Sequence, residues 1–319
     1  MAGVQRRVAT SVSEYMGVVE GIASSTHSGL WFRGQSDASH QLTPGVLRDT
    51  TLITDGRGLP IRKGQIITAS GSEVTGLNPE RMLAEFRRQA RPFLERPLTN
   101  EFEWMFLAQH HGLPTRLLDW STNALVALYF AVASVPASAE SGDGDDACQE
   151  FLDPSGNEYR DDGFAVYVID PGEINALVCQ ISDPIDIASE PERWAHYLQP
   201  TDNPGAYFPI CVVSPHISSR IRSQSGVFTL HGSNIHPLDW YDVIRPGITK
   251  VFIPYASTKN VLSGLHKVGV TKSFIYPGLD SIATDVKFVE GIRHEAWKET
   301  YFAKVERDAA REATRKKRT

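Results

Sequence analysis

Residues 124–133, "ALVALYFAVA", are apolar on every side. A helix with no polar face cannot rest on a surface, so whatever this chain folds into must enclose that helix. The residues before it sharpen the constraint. "LPTRLLDWSTN", residues 113–123, puts Arg116 and Asp119 among Leu117, Leu118 and Trp120. Polar groups in such company must be satisfied by partners or put to use. The run "LLDW" reads as extended, and Ser121 or Thr122 is the expected cap of the buried helix.

The flanking sequence supplies layers to enclose it. Residues 11–29 read as a short helix and turn, and "GLWFRGQ" as a strand. "NPERMLAEFRRQARPFL" begins with Asn78 as cap and Pro79 at the first helical position. "NEFEWMFLAQHHG" is a second amphipathic helix with Phe102, Met105, Phe106 and Gln109 on one face and Gly112 as its stop. Strands follow at "FAVYVID", "YFPICVVSP", "GVFTLHG" and "KVFIPY", with a short helical stretch around 187–199 between them. "TKNVLSGLHKVGV" is a late helix and "RHEAWKETYFAKVERDAAREATRKK" a long charged one. Helices lead and strands dominate the middle. The expected fold is α+β: one domain with a mixed, mostly antiparallel β core and helices packed on it.

Charge is unevenly spread. The formal net charge is −6, but residues 139–162 carry nine acids against Arg160 alone. Segment 138–162 is therefore expected to be a peripheral surface loop, and the Gly-, Ser- and Thr-rich residues 49–79 a second insertion. The rest of the chain is weakly cationic, so an anionic ligand is not excluded. Cys148, Cys179 and Cys211 are scattered, without the spacing of a zinc site or a disulfide framework. No apolar run approaches the ~20 residues that span a bilayer, and the N-terminus lacks a signal-peptide core, so a cytoplasmic location without membrane contact is expected.

Three patches carry candidate chemistry. Arg33 stands before Gly34, where a turn and close backbone approach are possible; its fork suits phosphate or pyrophosphate, or else half of a structural salt bridge. His110, His111, Thr115, Arg116, Asp119, Ser121 and Thr122 surround the junction between two buried helices, with a helix N-terminus available to an anion. Asp119 reads as a structural staple, paired with Arg116 or Arg33. His110 and His111 point about 100° apart on a helix, so one of them suits a ribose hydroxyl or a carbonyl. No spacing there completes a metal site, and no metal is expected. Arg220, Arg222 and Gln224 precede the "GVFTLHG" strand, as a third cationic patch or a solvated edge.

These blocks together resemble the FRG domain family, named for its Phe-Arg-Gly motif. "WFRGQS" with "LTPGVLR", "AQHHGLPTRLLDWSTNALVALYFA", "RSQSGVFTLHG" and "LHKVGVTKSFIYPGLDSIA" occur in order. The resemblance runs over residues 11–290, interrupted by insertions at 49–79 and 138–162, and leaves 291–319 as a charged tail. It implies a bacterial or phage-borne protein of defence or toxin contexts, with an antitoxin or defence partner. The order of motifs is also similar to that of ADP-ribosyltransferases. That similarity implies NAD as substrate and transfer of ADP-ribose to a macromolecular acceptor, protein or nucleic acid. It gives Arg33 the binding of NAD, and Gly34, His110, His111 and Arg116 are the candidates to bind the cofactor beside it. Thr115, or Ser121 with Thr122, would organise the nicotinamide pocket, and Gln224 would take the place of a late Glu. Gln224 is neutral and cannot face a developing cation as a carboxylate does, which makes Asp119 the nearest acid for that role. A module that binds a nucleotide or phage component without catalysis is the alternative. A nuclease is third, since no carboxylate cluster for two metals is present.

Overall fold

The structure, a computed structural model, describes residues 3–26, 29–48, 50–52, 66–67, 73–94, 97–135, 143–198, 204–214, 225–234 and 236–316. It divides into two compact units, Met1–Val268 and Gly269–Thr319. In chain order the first unit contains β1 (Gln5–Val8), α1 (Val12–Ala23), β2 (Trp31–Gln35), β3 (Thr51–Leu52), β4 (Ile66–Ile67), β5 (Glu73–Thr75), α2 (Pro79–Ala90), α3 (Glu101–His110), β6 (Leu117–Ser121), α4 (Ala124–Ala133), α5 (Gly144–Leu152), β7 (Gly163–Ile169), α6 (Pro171–Cys179), β8 (Ile185–Asp186), β9 (Ile210–Val213), β10 (Gly226–Leu230), β11 (Ile248–Pro254) and α7 (Thr258–Lys267). The second unit holds α8 (Lys272–Ile275) and α9 (Leu279–Lys316).

Among the described residues the first unit is built on an eight-stranded mixed sheet in the order β1-β11-β7-β2-β6-β10-β9-β8. The pairs β1/β11 and β8/β9 are parallel, and the inner neighbours run antiparallel. Both faces are covered, so adjacent residues of one strand enter different cores. Leu117 packs with Phe102, Phe106, Phe228 and Leu230, whereas Leu118 packs with Trp31, Trp120, Tyr167 and Ile169. This is the α+β arrangement the sequence implies. β3, β4 and β5 form a small separate sheet inside the 49–79 insertion.

Side-chain caps set the helix starts. Asn78 Oδ1 accepts from the Arg81 amide at 2.8 Å, and Asn100 Oδ1 from the Glu103 amide at 3.1 Å. The buried helix α4 is capped one residue later than its sequence suggests. Asn123 Oδ1, not Ser121 or Thr122, accepts from the Leu125 and Val126 amides at 3.0 and 3.2 Å. Ser121 Oγ accepts from the Asn123 amide instead. The helical stretch expected around 187–199 is a single 3-10 turn, Ala195–Tyr197.

α4 lies directly on β2, and Gly34 makes this possible. A Cβ on Gly34 would stand 2.0 Å from the Ala127 carbonyl oxygen and 2.6 Å from the Ala131 nitrogen. Both are backbone atoms, which cannot swing aside. Gly34 pairs with Val166 inside the strand, so its role is close approach and not a turn.

The acidic segment departs from expectation. Residues 144–152 form α5, whose Ala147, Cys148 and Phe151 are buried. Phe151 is fully enclosed and stacks on Phe252 with ring centroids 4.9 Å apart. Asp145, Asp146 and Glu150 lie on the outer face of an amphipathic helix, and the net charge of the segment conceals its apolar stripe.

Two outcomes follow. Gly34→Ala should destabilise the fold by about 1–3 kcal/mol or more, the usual range for overpacking against atoms that must shift. Phe151→Ala should cost about 3–5 kcal/mol. Urea denaturation followed by circular dichroism checks both. A Phe151→Ala midpoint equal to that of the parent would return the segment to the status of a dispensable loop.

Candidate functional site

β2 and β6 are neighbours, yet their ladder consists of the single pair Phe32↔Ser121. The carbonyl of Asp119 is met by a side chain: Arg33 Nη1 donates to it at 2.6 Å. A cavity of about 820 Å³ opens over this junction. β2 and the loop after it contribute Arg33, Gly34, Gln35, Ser36 and His40, and Arg48 follows. The end of α3 contributes Gln109, His110 and His111. β6 and β10 contribute Asp119, Ser121 and Phe228, and α4 adds Ala127, Phe130 and Ser134.

The loop on the β2 side is held from below through its carbonyls. Tyr255 Oη donates to Ser36 O at 3.0 Å, Lys250 Nζ to Ala38 O at 2.5 Å and Tyr167 Oη to His40 O at 3.0 Å. Asp239 Oδ1 accepts from the Leu42 amide at 3.1 Å. Lys250 is itself buried against the rings of Phe151, Tyr159 and Tyr167. Burial lowers its pKa to about 8, against the opposing pull of Asp239 and Glu158. A loop fixed at so many points presents Ser36 and His40 in set positions.

Asp119 is the one carboxylate among the described residues lining the cavity. It is exposed, and Gln109 Nε2 donates to its Oδ2 at 2.8 Å. Gln109 is oriented in turn by Thr115, whose Oγ1 donates to Gln109 Oε1 at 2.7 Å and accepts from the Leu117 amide at 3.0 Å. Thr115 does not line the cavity; it fixes the residue that fixes the acid. Strand alternation explains why Asp119 is not the staple it resembles in sequence. Its neighbours Leu118 and Trp120 point to the opposite face.

Arg116 takes the structural role. It is buried, its Nη1 lies 3.1 Å from Glu80 Oε1, and its Nη2 donates to the carbonyls of Tyr197 and Leu198 at 2.9 and 2.7 Å. Burial lowers its pKa to about 10 despite Glu80. It does not line the cavity wall. Thr122 is also outside the wall; its amide donates to Ser225 O.

Arg33 is in a different state. Its guanidinium is largely enclosed, and burial drops its pKa to about 10; Asp119 opposes the shift and the positive charge of Arg48 adds to it. Its Nε has no protein partner. Behind it His231 is fully buried with neither ring nitrogen bonded, and burial together with the Arg33 charge takes its pKa down to about 3. His231 is therefore neutral, and Arg33 has no carboxylate of its own.

Of the residues singled out by sequence, Arg33, Gly34, His110, His111, Asp119 and Ser121 meet at this cavity. Arg220, Arg222 and Gln224 lie outside the described residues. Gln109, His40, Arg48, Phe130 and Ser134 were not anticipated. Gln109 carried a signal, as the one polar member of the apolar face of α3; the others carried none. Among the described residues no group of three or more His, Cys, Asp and Glu is placed to hold a metal ion. No described helix is long and apolar enough to cross a membrane.

Residues 28–140 match the family model of the FRG domain. Comparison with curated proteins and with solved structures gives no match. The matched span holds all of the cavity wall except Gly226 and Phe228 of β10.

Truncating the two charged residues of "TRLLDW" should have opposite consequences. Arg116→Ala leaves Glu80 and two carbonyls without their donor and should cost about 3–5 kcal/mol. Asp119→Ala should stay within about 0.5 kcal/mol of the parent, as surface substitutions do. Chemical denaturation of both variants measures the contrast. Equal losses would restore Asp119 as a staple.

Proposed function

We propose that the cavity of this FRG-domain protein binds a nucleotide polyphosphate, that its substrate is NAD, and that it transfers ADP-ribose to a macromolecular acceptor. The observation that carries this reading is the charge pattern of the wall. Arg33 and Arg48, close enough for one to depress the pKa of the other, and His40, His110 and His111 surround a single carboxylate, Asp119. Two neighbouring guanidinium groups with no carboxylate ion pair among the described residues favour a doubly charged group such as a pyrophosphate, which relieves their repulsion. A cavity of about 820 Å³ is in the range that takes a whole dinucleotide.

In this reading the pyrophosphate lies between Arg33 and Arg48, and the ribose that bears nicotinamide lies toward Asp119. The bond from C1′ to the nicotinamide nitrogen breaks, and nicotinamide leaves with the electron pair. Positive charge then develops at C1′ and O4′, and the Asp119 carboxylate stabilises it. An acceptor oxygen or nitrogen forms the new bond to C1′ and loses its proton to solvent or a nearby base. Gln109 and Thr115 hold the carboxylate in one orientation, which lowers the reorganisation needed as charge develops. In this reading Arg116, held by Glu80 and two carbonyls, serves stability.

The resemblance to FRG proteins supports a setting in bacterial or phage defence, in which an antitoxin or defence partner restrains the activity. A second reading, nucleotide binding without turnover, draws on the same wall. Its support is that Asp119 is the sole acid there among the described residues and already carries a hydrogen bond from Gln109.

The test combines NAD titration with mass spectrometry of released nicotinamide and of ADP-ribosylated acceptors. Arg33→Ala should weaken NAD binding about 10-fold, one charge-assisted contact. Asp119→Asn should leave binding intact and reduce nicotinamide release about 100-fold. NAD binding by the parent without release would establish the sensor reading. Failure to bind NAD or any nucleoside diphosphate would remove both.

A further inference from the structure

The second unit poses a problem that the cavity does not address. α9 is a 38-residue helix, and within its own unit it is covered only near its start. There Asp285 accepts from the amides of Lys272 and Ser273 at 3.1 and 2.9 Å, tying α8 to the second turn. Further along, Ile292, Trp297, Tyr301, Phe302 and Val305 are all exposed, Trp297 by 59%. A helix of this length does not keep three aromatics and two β-branched residues in water without a use for them. Its polar residues support the helix on their own, as in the Arg293–Glu290 and Lys298–Glu295 pairs.

The exposed aromatics lie at the centre of the helix. The midpoint of Leu279–Lys316 falls between residues 297 and 298. There Trp297 stacks on Tyr301 with centroids 5.3 Å apart and on His294 at 5.9 Å, both nearly parallel. Charge is divided about the same point. Residues 279–297 hold four acids against Lys287 and Arg293, a formal −2. Residues 298–316 hold six cations against four acids, a formal +2. Only one arrangement of two identical helices places the acidic half of each on the basic half of the other while joining their centres. It is antiparallel, with the two-fold axis at the aromatic cluster.

We propose that α9 is a self-association surface, pairing antiparallel with α9 of a second copy of this chain, with Trp297 of each copy at the two-fold axis. The contact is isologous, so the same apolar stripe is buried on both copies and the assembly closes as a dimer. In that register residue 286 of one copy faces residue 308 of the other.

Sedimentation of the full chain over a concentration series tests the association, and cysteine cross-linking tests the geometry. The parent should sediment as a dimer. Trp297→Glu with Tyr301→Glu should sediment as a monomer with an unchanged far-ultraviolet spectrum. Trp297→Cys should cross-link to itself. Val286→Cys should not, but should cross-link to Asp308→Cys when the two variants are mixed, with peptide mapping to set aside the three native cysteines. A parent that is monomeric at every concentration overturns the proposal, as does self-cross-linking of Val286→Cys, which would mean parallel helices. A monomer that co-sediments with phosphatidylcholine–phosphatidylserine vesicles also overturns it, and would assign the stripe to a lipid surface.

Discussion

The cavity depends on backbone against backbone. α4 rests on β2 so closely that the space a Cβ would need at Gly34 is taken by the Ala127 carbonyl and the Ala131 amide. The three residues of the Phe-Arg-Gly motif can be read as three separate demands at that contact. Phe32 is buried and supplies the single ladder pair to β6. Gly34 admits the helix. Arg33, pointing to the other face, supplies a donor to the Asp119 carbonyl. Since Ala127, Phe130 and Ser134 of α4 form one wall of the cavity, the depth at which the helix sits fixes the width of the site.

Charge in the first unit is arranged so that buried cations are of two kinds. Arg116 and Lys250 are held at several points: one has Glu80 and two carbonyls, though its Nε has no partner, and the other has two carbonyls and three aromatic faces. Each ties together segments distant in sequence, and removing either donor would strand buried acceptors. Arg33 is half-buried, and its guanidinium holds a single carbonyl and stands beside Arg48. A cation that is half-buried, underbonded and next to another cation is destabilised in the free protein, and a bound anion is what would offset that. The same comparison separates the two charged residues of "TRLLDW", which sequence alone would treat as a pair.

Much of the scaffold was legible because its signals are local. The asparagine caps at 78 and 100, the uniformly apolar α4 and the alternating strands announce themselves within a few residues. What failed depended on partners far away or on phase. Glu80 lies 36 positions before Arg116, and nothing in either local pattern links them. Asp119 looked buried because its sequence neighbours are, whereas a strand sends neighbours to opposite faces. In α5, counting acids outweighed the spacing of Ala147, Cys148 and Phe151, which is that of one helical face. Within the site, Arg33 and the two histidines stood out by type. Arg48 and His40 reach the cavity through a loop whose path is set by Tyr167, Lys250 and Asp239, and no short window of sequence contains that information.

The position of Asp119 shows how scaffold and site are joined. Its carbonyl is held by Arg33 and its carboxylate by Gln109, so one residue is gripped at both ends, from β2 and from α3. Gln109 occupies the last turn of α3, where the helix is ending at Gly112 with a φ of +84°. The chain then reverses through Leu113 and Pro114 and returns Thr115 to bond Gln109 from behind. That reversal needs a residue comfortable in the left-handed region, which Gly112 supplies at no steric cost. "QHHGLPTRLLD" is thus a closed circuit from Gln109 to Asp119. It turns a helix end into the support of an acid, places two histidines at the cavity edge on the way, and commits Arg116 to the fold.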